Sequence, residues 1–332
     1  MALHQAPAAI TAPQADIEDI VKHDPQFAKA LQEQRRQQLG FGASYVQQFL
    51  AKTSLMSLGS YCGVAQTFEA LGLREAAGPF DWMRTDCQGV TRLIQNGFQG
   101  FLDWEGTTHK VGAYDVFPMK WGGSFWHHNI RDAKVQETFE RRKDRFLSLN
   151  KEKLLFIRAV NGTEELNFIG NLHRALKQRF PKSQVLLLVF IDLQNCPREV
   201  IVQDLGPEVI FSSVHHSSWG SLTATTPDGQ ARERLGKCTE LYSAGLIRAI
   251  AIWCHCGRVA LWPSLKSFYG HLLPWLGPDP KREAFQPFRL PFPLAAATAS
   301  AAFTLRAITP QAAAVHQLHQ FRPSWPCTVR AL

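Results

Sequence analysis

Two rhythms alternate along this chain. Continuous apolar runs, SLMSLG at 54–59, LLFIR at 154–158, VLLLVFID at 185–192 and EVIFSSV at 208–214, have strand length and end in polar or turn residues. Between them lie segments with helical spacing of apolar positions, about Tyr61 to Leu71, Ala133 to Leu149 and Glu164 to Phe180. The stretch from Gly72 to Phe125 reads as turn-rich, and a further helical stretch covers about Ala231 to Trp253. Strands that are apolar on both faces, separated by helices, fit βαβ units around a sheet covered on both sides. The expected fold is α/β, a mainly parallel sheet flanked by helices. Residues 1–52 form a polar, Gln-rich helical lead, with QFAKALQEQRRQQL and SYVQQFLAKT at helical spacing. The α/β domain takes 53–277, and 278–332, rich in Pro and Ala without a sustained period, reads as a low-complexity, disordered tail.

Composition agrees with one principal core: 332 residues, 45% hydrophobic and 19% charged, which excludes wholesale disorder. The net charge of +8 raises the question of a polyanionic partner. Residues 280–332, however, carry six basic groups and one acid, so five of the eight net charges belong to these last 53 residues. The remainder is near neutral and shows no basic stripe interleaved with aromatics, so nucleic acid is not an expected partner. The first twenty residues lack the basic start and apolar block of a secretory signal. The most apolar window, Ala244 to Trp262, is interrupted by Arg248, His255 and Arg258, which argues against a membrane span. Seven cysteines at irregular positions suit a reducing, cytoplasmic compartment better than a disulfide framework. Cys254, His255 and Cys256 with a distant Cys238 make a poor zinc pattern, and neither a metal nor a cofactor is expected.

The chemistry concentrates between Ser54 and Thr85. An apolar strand ends at Gly59, Ser60 is placed to cap the next helix, and Val64, Ala65, Phe68 and Leu71 give that helix an apolar face before Gly72 stops it. Cys62 then lies in the first helical turn, where free N–H groups and the helix dipole favour a thiolate. The same position suits a small hydrophobe in a tight strand-to-helix packing. A nucleophile needs a base, and two pairs compete: His127 and His128 in WGGSFWHHNI, and His215 and His216 at the end of the strand EVIFSSV. Spacing alone does not choose between them. In the helix VQETFERRKDRFLSL an apolar stripe of Val135, Phe139, Phe146 and Leu149 passes through Arg142, which must find an acid, a ligand or water. Arg158 ends LLFIR at the edge of the sheet expected to carry Cys62. Asp81 in GPFDW can pair with an arginine, orient a histidine or structure its own turn.

The run SLGSYCGVAQTFEALGLREAAGPFDWM resembles the signature of a family described as papain-like cysteine peptidases of unknown function. Its members share a Ser-Leu-Gly-x-x-Cys strand-to-helix turn, a Gly-Leu-Arg segment and Pro-Phe-Asp-Trp. Farther on, His128-Asn129-Ile130, Arg141-Arg142 and LLFIR resemble the family's later motifs, and the similarity runs in order from about Ser54 to Asp192. The resemblance implies Cys62 as nucleophile and His128 as its base, with His127 as the alternative. Asn129 and Ile130 stand where the family has Asp and Phe.

Two functions follow as expectations. One is a cysteine hydrolase or acyl transferase acting on a peptide or small acyl substrate, with amides near Gly63 holding the oxyanion. The other is a non-peptidase domain binding an anionic small molecule, a nucleotide, sugar phosphate or carboxylate, through the Gly59-Ser60 turn, Arg142 and Arg158.

Overall fold

The four apolar runs become adjacent parallel strands. The structure, a computed structural model, describes residues 23–272 apart from 112–113, 161–162, 195–196, 216–222, 226–230, 234–237, 256, 258 and 270–271. The expectations for residues 1–22, His216, Cys256 and the tail at 278–332 therefore lie outside the described residues. Helices α1 (Lys29–Gln38) and α2 (Ser44–Ala51) precede β1 (Thr53–Ser57) and α3 (Gly63–Leu71). Then β2 (Met83–Arg84), α4 (Cys87–Gln95), β3 (His109–Val111), β4 (Tyr114–Pro118) and β5 (Ser124–Phe125) lead to α5 (Ala133–Leu147) and β6 (Lys153–Val160). There follow α6 (Ile169–Arg179), β7 (Gln184–Gln194), β8 (Arg198–Val202), β9 (Val209–His215), β10 (Thr223–Thr225) and β11 (Ala231–Glu233). The last described elements are α7 (Cys238–Trp253), β12 (Ala260–Trp262) and α8 (Leu265–Tyr269).

The main sheet has the order β1-β6-β7-β9-β8-β12. Its first four strands are mutually parallel. The link from β8 to β9 is too short for a crossover, so these two pair antiparallel, and β12 joins β8 in parallel. The sheet is thus mainly parallel, as the pattern predicts, with an antiparallel margin that the sequence reading did not contain. Alternate residues of each central strand serve opposite faces. Leu154, Phe156, Leu187, Val189 and Phe211 meet Phe139 and Phe146 of α5 and Leu172 and Leu176 of α6. Leu155, Ile157, Leu188, Phe190 and Ile210 meet Val64 and Phe68 of α3 and Tyr242, Leu246 and Ile250 of α7. Both faces being dry, truncating one of these leucines to alanine costs about 2–5 kcal/mol.

The stretch read as turns holds more. It contains α4, capped by Asp86, whose carboxylate accepts from the Gly89 amide at 2.6 Å. It also contains all four strands of a second, antiparallel sheet in the order β2-β5-β4-β3. These strands span two to five residues, too few for a period of two to show.

The polar lead has a defined task. Gln32 Nε2, Arg35 Nη1 and Arg36 Nη1 of α1 donate to the carbonyls of Glu69, Ala70 and Leu71 at 2.9, 3.2 and 2.8 Å. They supply donors and positive charge at the C-terminus of α3, which closes on the left-handed Gly72 (φ 60°). Phe41, Val46 and Phe49 insert into the core face that also holds α3. Among the described residues no helix is long and apolar enough to cross a membrane.

Candidate active site at the strand-to-helix turn

Between β1 and α3 the chain reverses in five residues. Gly59 takes φ 75° and Ser60 φ 92°, a backbone state that a residue with a Cβ seldom adopts. Ser60 is buried, and the helix begins at Gly63 with Cys62 itself as N-cap. This corrects the reading of Ser60 as the cap: it lies two residues early, and its task is the turn. The first helical bond is Gln66 N–H to Cys62 O at 3.0 Å, so the amides of Gly63, Val64 and Ala65 precede it. Cys62 is half-buried, is not in a disulfide and packs against a small cluster of Phe27, Ala70 and Trp82.

The turn is held from below by a buried arginine. Arg158, fully buried, donates from Nη1 to Leu58 O and Thr85 Oγ1, both at 3.1 Å, and from Nη2 to Thr85 O at 3.0 Å. Its Nη2 also forms a short ion pair with Glu165. Burial works against its charge, and Glu165 together with Cys87 and Asp86 holds its pKa above the ordinary value. Gly59 is tight against this group: a Cβ there would lie 2.5 Å from Thr85 Oγ1. Arg158 does not end its strand, since β6 runs two residues farther.

The adjacent histidines diverge. His127 is half-buried and meets Trp82 and Tyr114 edge-on, with ring centroids 6.5 and 5.3 Å away. Burial pushes its imidazole down to about 4, so it is neutral at pH 7. His128 is buried and stands edge-on to Phe139 of α5 at 5.0 Å. A charge also meets this ring: the Arg142 guanidinium lies 4.4 Å from the Phe139 ring centre.

Asp81 pairs with an arginine and also structures its own turn, the first and third of its expected options. Its Oδ2 accepts from Arg74 Nη2 and the Gly78 amide at 2.8 Å and from Arg74 Nε at 3.1 Å. Burial raises its carboxyl, while Arg74, the Gly78 amide and Arg142 act in the opposite direction. The stripe through Arg142 is as expected, Phe139, Arg142 and Phe146 all being buried. The structure therefore gathers Cys62, Ser60, Gly63 and Arg158 around one turn, and Arg142 near Asp81. His215 ends β9 in register with Gln194 of β7, at the same strand ends. Among the described residues no three His, Cys, Asp or Glu side chains form a metal-binding group.

Sequence reasoning missed Thr85, Glu165, Arg74, Tyr61, Tyr242 and Asp192. Arg74 was within reach, seven residues before Asp81 in the same segment. Tyr242 and Asp192 had no local signal.

The fold and this turn define a three-layer α/β domain with a cysteine at the N-cap of the helix after its edge strand. Residues 53–194 match a family described as "putative papain-like cysteine peptidase". The match takes in Cys62, both histidines of WHHNI, Arg142, Arg158 and Asp192. The chain is also 33% identical to an uncharacterized protein of Acanthamoeba polyphaga mimivirus, over 32% of this chain and 61% of that protein. No solved structure matches the chain significantly.

Proposed function

We propose that this domain is a cysteine hydrolase in which Cys62 is the nucleophile and His128 its base. The observation that carries the reading is the placement of Cys62 at the N-cap of α3 behind the strained Gly59-Ser60 turn. Such a turn exposes a side chain at the helix start, where unpaired amides and the dipole favour the thiolate. The family description supports a cysteine hydrolase as the class.

In the proposed reaction the imidazole takes the thiol proton and the sulfur attacks a carbonyl carbon. Negative charge moves to the carbonyl oxygen, which the amides of Gly63 and Val64 stabilise. Collapse expels the leaving amine, which takes the proton from the imidazolium, and water then hydrolyses the thioester. Peptide or isopeptide bonds are the proposed substrates. His128 is favoured over His127 because it is the histidine of His128-Asn129-Ile130 that aligns with the family's later motif.

The anion-binding alternative draws on donors that the fold already uses. Ser60 N–H is given to Thr85, and Arg158 to Leu58, Thr85 and Glu165. The deciding experiment is labelling of the native chain with a peptidyl acyloxymethyl ketone. Labelling is expected to vanish in Cys62→Ala and to fall strongly in His128→Ala; equal labelling of Cys62→Ala sinks the proposal.

A further inference from the structure

Tyr61 stands one residue before Cys62, and its phenol enters a buried hydrogen-bond chain. Tyr61 Oη lies 2.5 Å from Tyr242 Oη on α7. Tyr242 Oη in turn donates to the Asp192 carboxyl, 2.7 and 2.8 Å from its two oxygens. Asp192 and Tyr242 are buried, and the Tyr242 ring stacks on Phe190 of β7 with centroids 4.3 Å apart. The chain thus joins the turn after β1 to β7, two strands away across β6, and to α7.

Two features make this more than packing. The Tyr61 ring lies against the first residue of α3, since a Cβ on Gly63 would sit 2.6 Å from it. Fixing the phenol therefore fixes the start of the helix that Cys62 caps. In addition, a carboxyl is retained in a setting where an apolar pair would be cheaper. Burial pushes Asp192 up to about 8, with the Tyr242 hydroxyl as the opposing influence.

We propose that Asp192 and Tyr242 are positioning residues for Cys62: through Tyr61 they hold the helix-start orientation of the thiol from across the sheet. This rests on Cys62 being the nucleophile. Loss of the chain frees the turn and lets Cys62 drift from the helix N-terminus, so its thiol returns toward the ordinary value of about 8.5.

The test is the pH profile of iodoacetamide alkylation at Cys62 in the full chain, read by peptide mass spectrometry. It compares wild type, Tyr61→Phe, Asp192→Asn and the double variant. Tyr61→Phe keeps the ring and decides the matter even if Asp192→Asn folds poorly. Each single variant is expected to raise the midpoint by about half a pH unit or more, roughly a threefold loss of rate at pH values well below the wild-type midpoint. Because both act through one chain, the double variant is expected to add nothing further. A low wild-type midpoint with overlaying variants overturns the positioning role alone. A wild-type midpoint already near that of an ordinary cysteine overturns Cys62 as nucleophile, and this inference with it.

Discussion

The Ser60 amide donates to Thr85 Oγ1 at 2.9 Å, and the Thr85 amide returns a bond to Ser60 O at 3.2 Å. This reciprocal pair clamps a residue whose backbone state costs on the order of 1–3 kcal/mol. The same hydroxyl donates to Leu58 O at 3.2 Å and accepts from Arg158. One side chain thus ties together the end of β1, the turn before Cys62 and the buried arginine of β6.

Replacing Thr85 by Val keeps the shape and removes that hydroxyl. The Ser60 amide and Arg158 each lose an acceptor in a buried place, a cost of about 1–3 kcal/mol in total stability. Urea denaturation is expected to show that loss, together with slower alkylation of Cys62. Unchanged Cys62 reactivity in a destabilised protein would show that the clamp serves stability only.

Arg158→Met tests the two readings of this arginine against each other. Removing one partner of a buried pair takes the counter-charge from Glu165, which keeps the Cys87 amide at 3.2 Å, and takes the arginine donor from the Thr85 carbonyl; breaking such pairs costs about 3–5 kcal/mol. A drop of that size in denaturant unfolding is expected. An anion-binding arginine behaves differently: its loss would leave stability intact and abolish stabilisation by added phosphate.

Sequence pattern alone revealed the parallel core and the address of Cys62, for a physical reason. Buried central strands must be apolar on both faces, and a strand ending in Gly-Ser before a helical period can only turn sharply. The small sheet escaped because β2 and β5 are two residues each. Arg158 was read toward a ligand because its partner Glu165 sits in a 3-10 turn, where no helical or strand spacing links the two. Asp192 and Tyr242 are fifty residues apart, joined only by tertiary packing. The base was read from resemblance, and the structure adds that His127 and His128 occupy different surroundings.

Two cysteines near the turn are expected to react very differently. Cys87 is buried at the start of α4, and burial pushes its thiol up to about 12 despite the helix start and Arg158. Cys62 is half-buried at an N-cap. In the native protein at pH 7, iodoacetamide is expected to modify Cys62 and spare Cys87, with both labelled after denaturation. Equal native labelling of the two would contradict the burial argument for Cys87.

Stability between pH 4 and 8 carries two opposing contributions that variants can separate. His127 titrates near 4 when folded and about 6.5 when unfolded, so between those values the unfolded chain binds the extra proton. Stability from this group falls as pH drops from 6.5 to 4. Asp192 titrates near 8 when folded and about 4 when unfolded, so the folded chain holds the extra proton across that window. Its contribution falls as pH rises from 4 to 8. Between 6.5 and 8 only the Asp192 slope remains of the two, and Asp192→Asn is expected to flatten the decline in urea midpoint there. His127→Gln is expected to leave that region unchanged and to reduce the loss below pH 6.5. Midpoints for Asp192→Asn that run parallel to wild type from pH 6.5 to 8 would mean that the Asp192 carboxyl is ionised throughout, with Tyr242 as donor to a permanent anion.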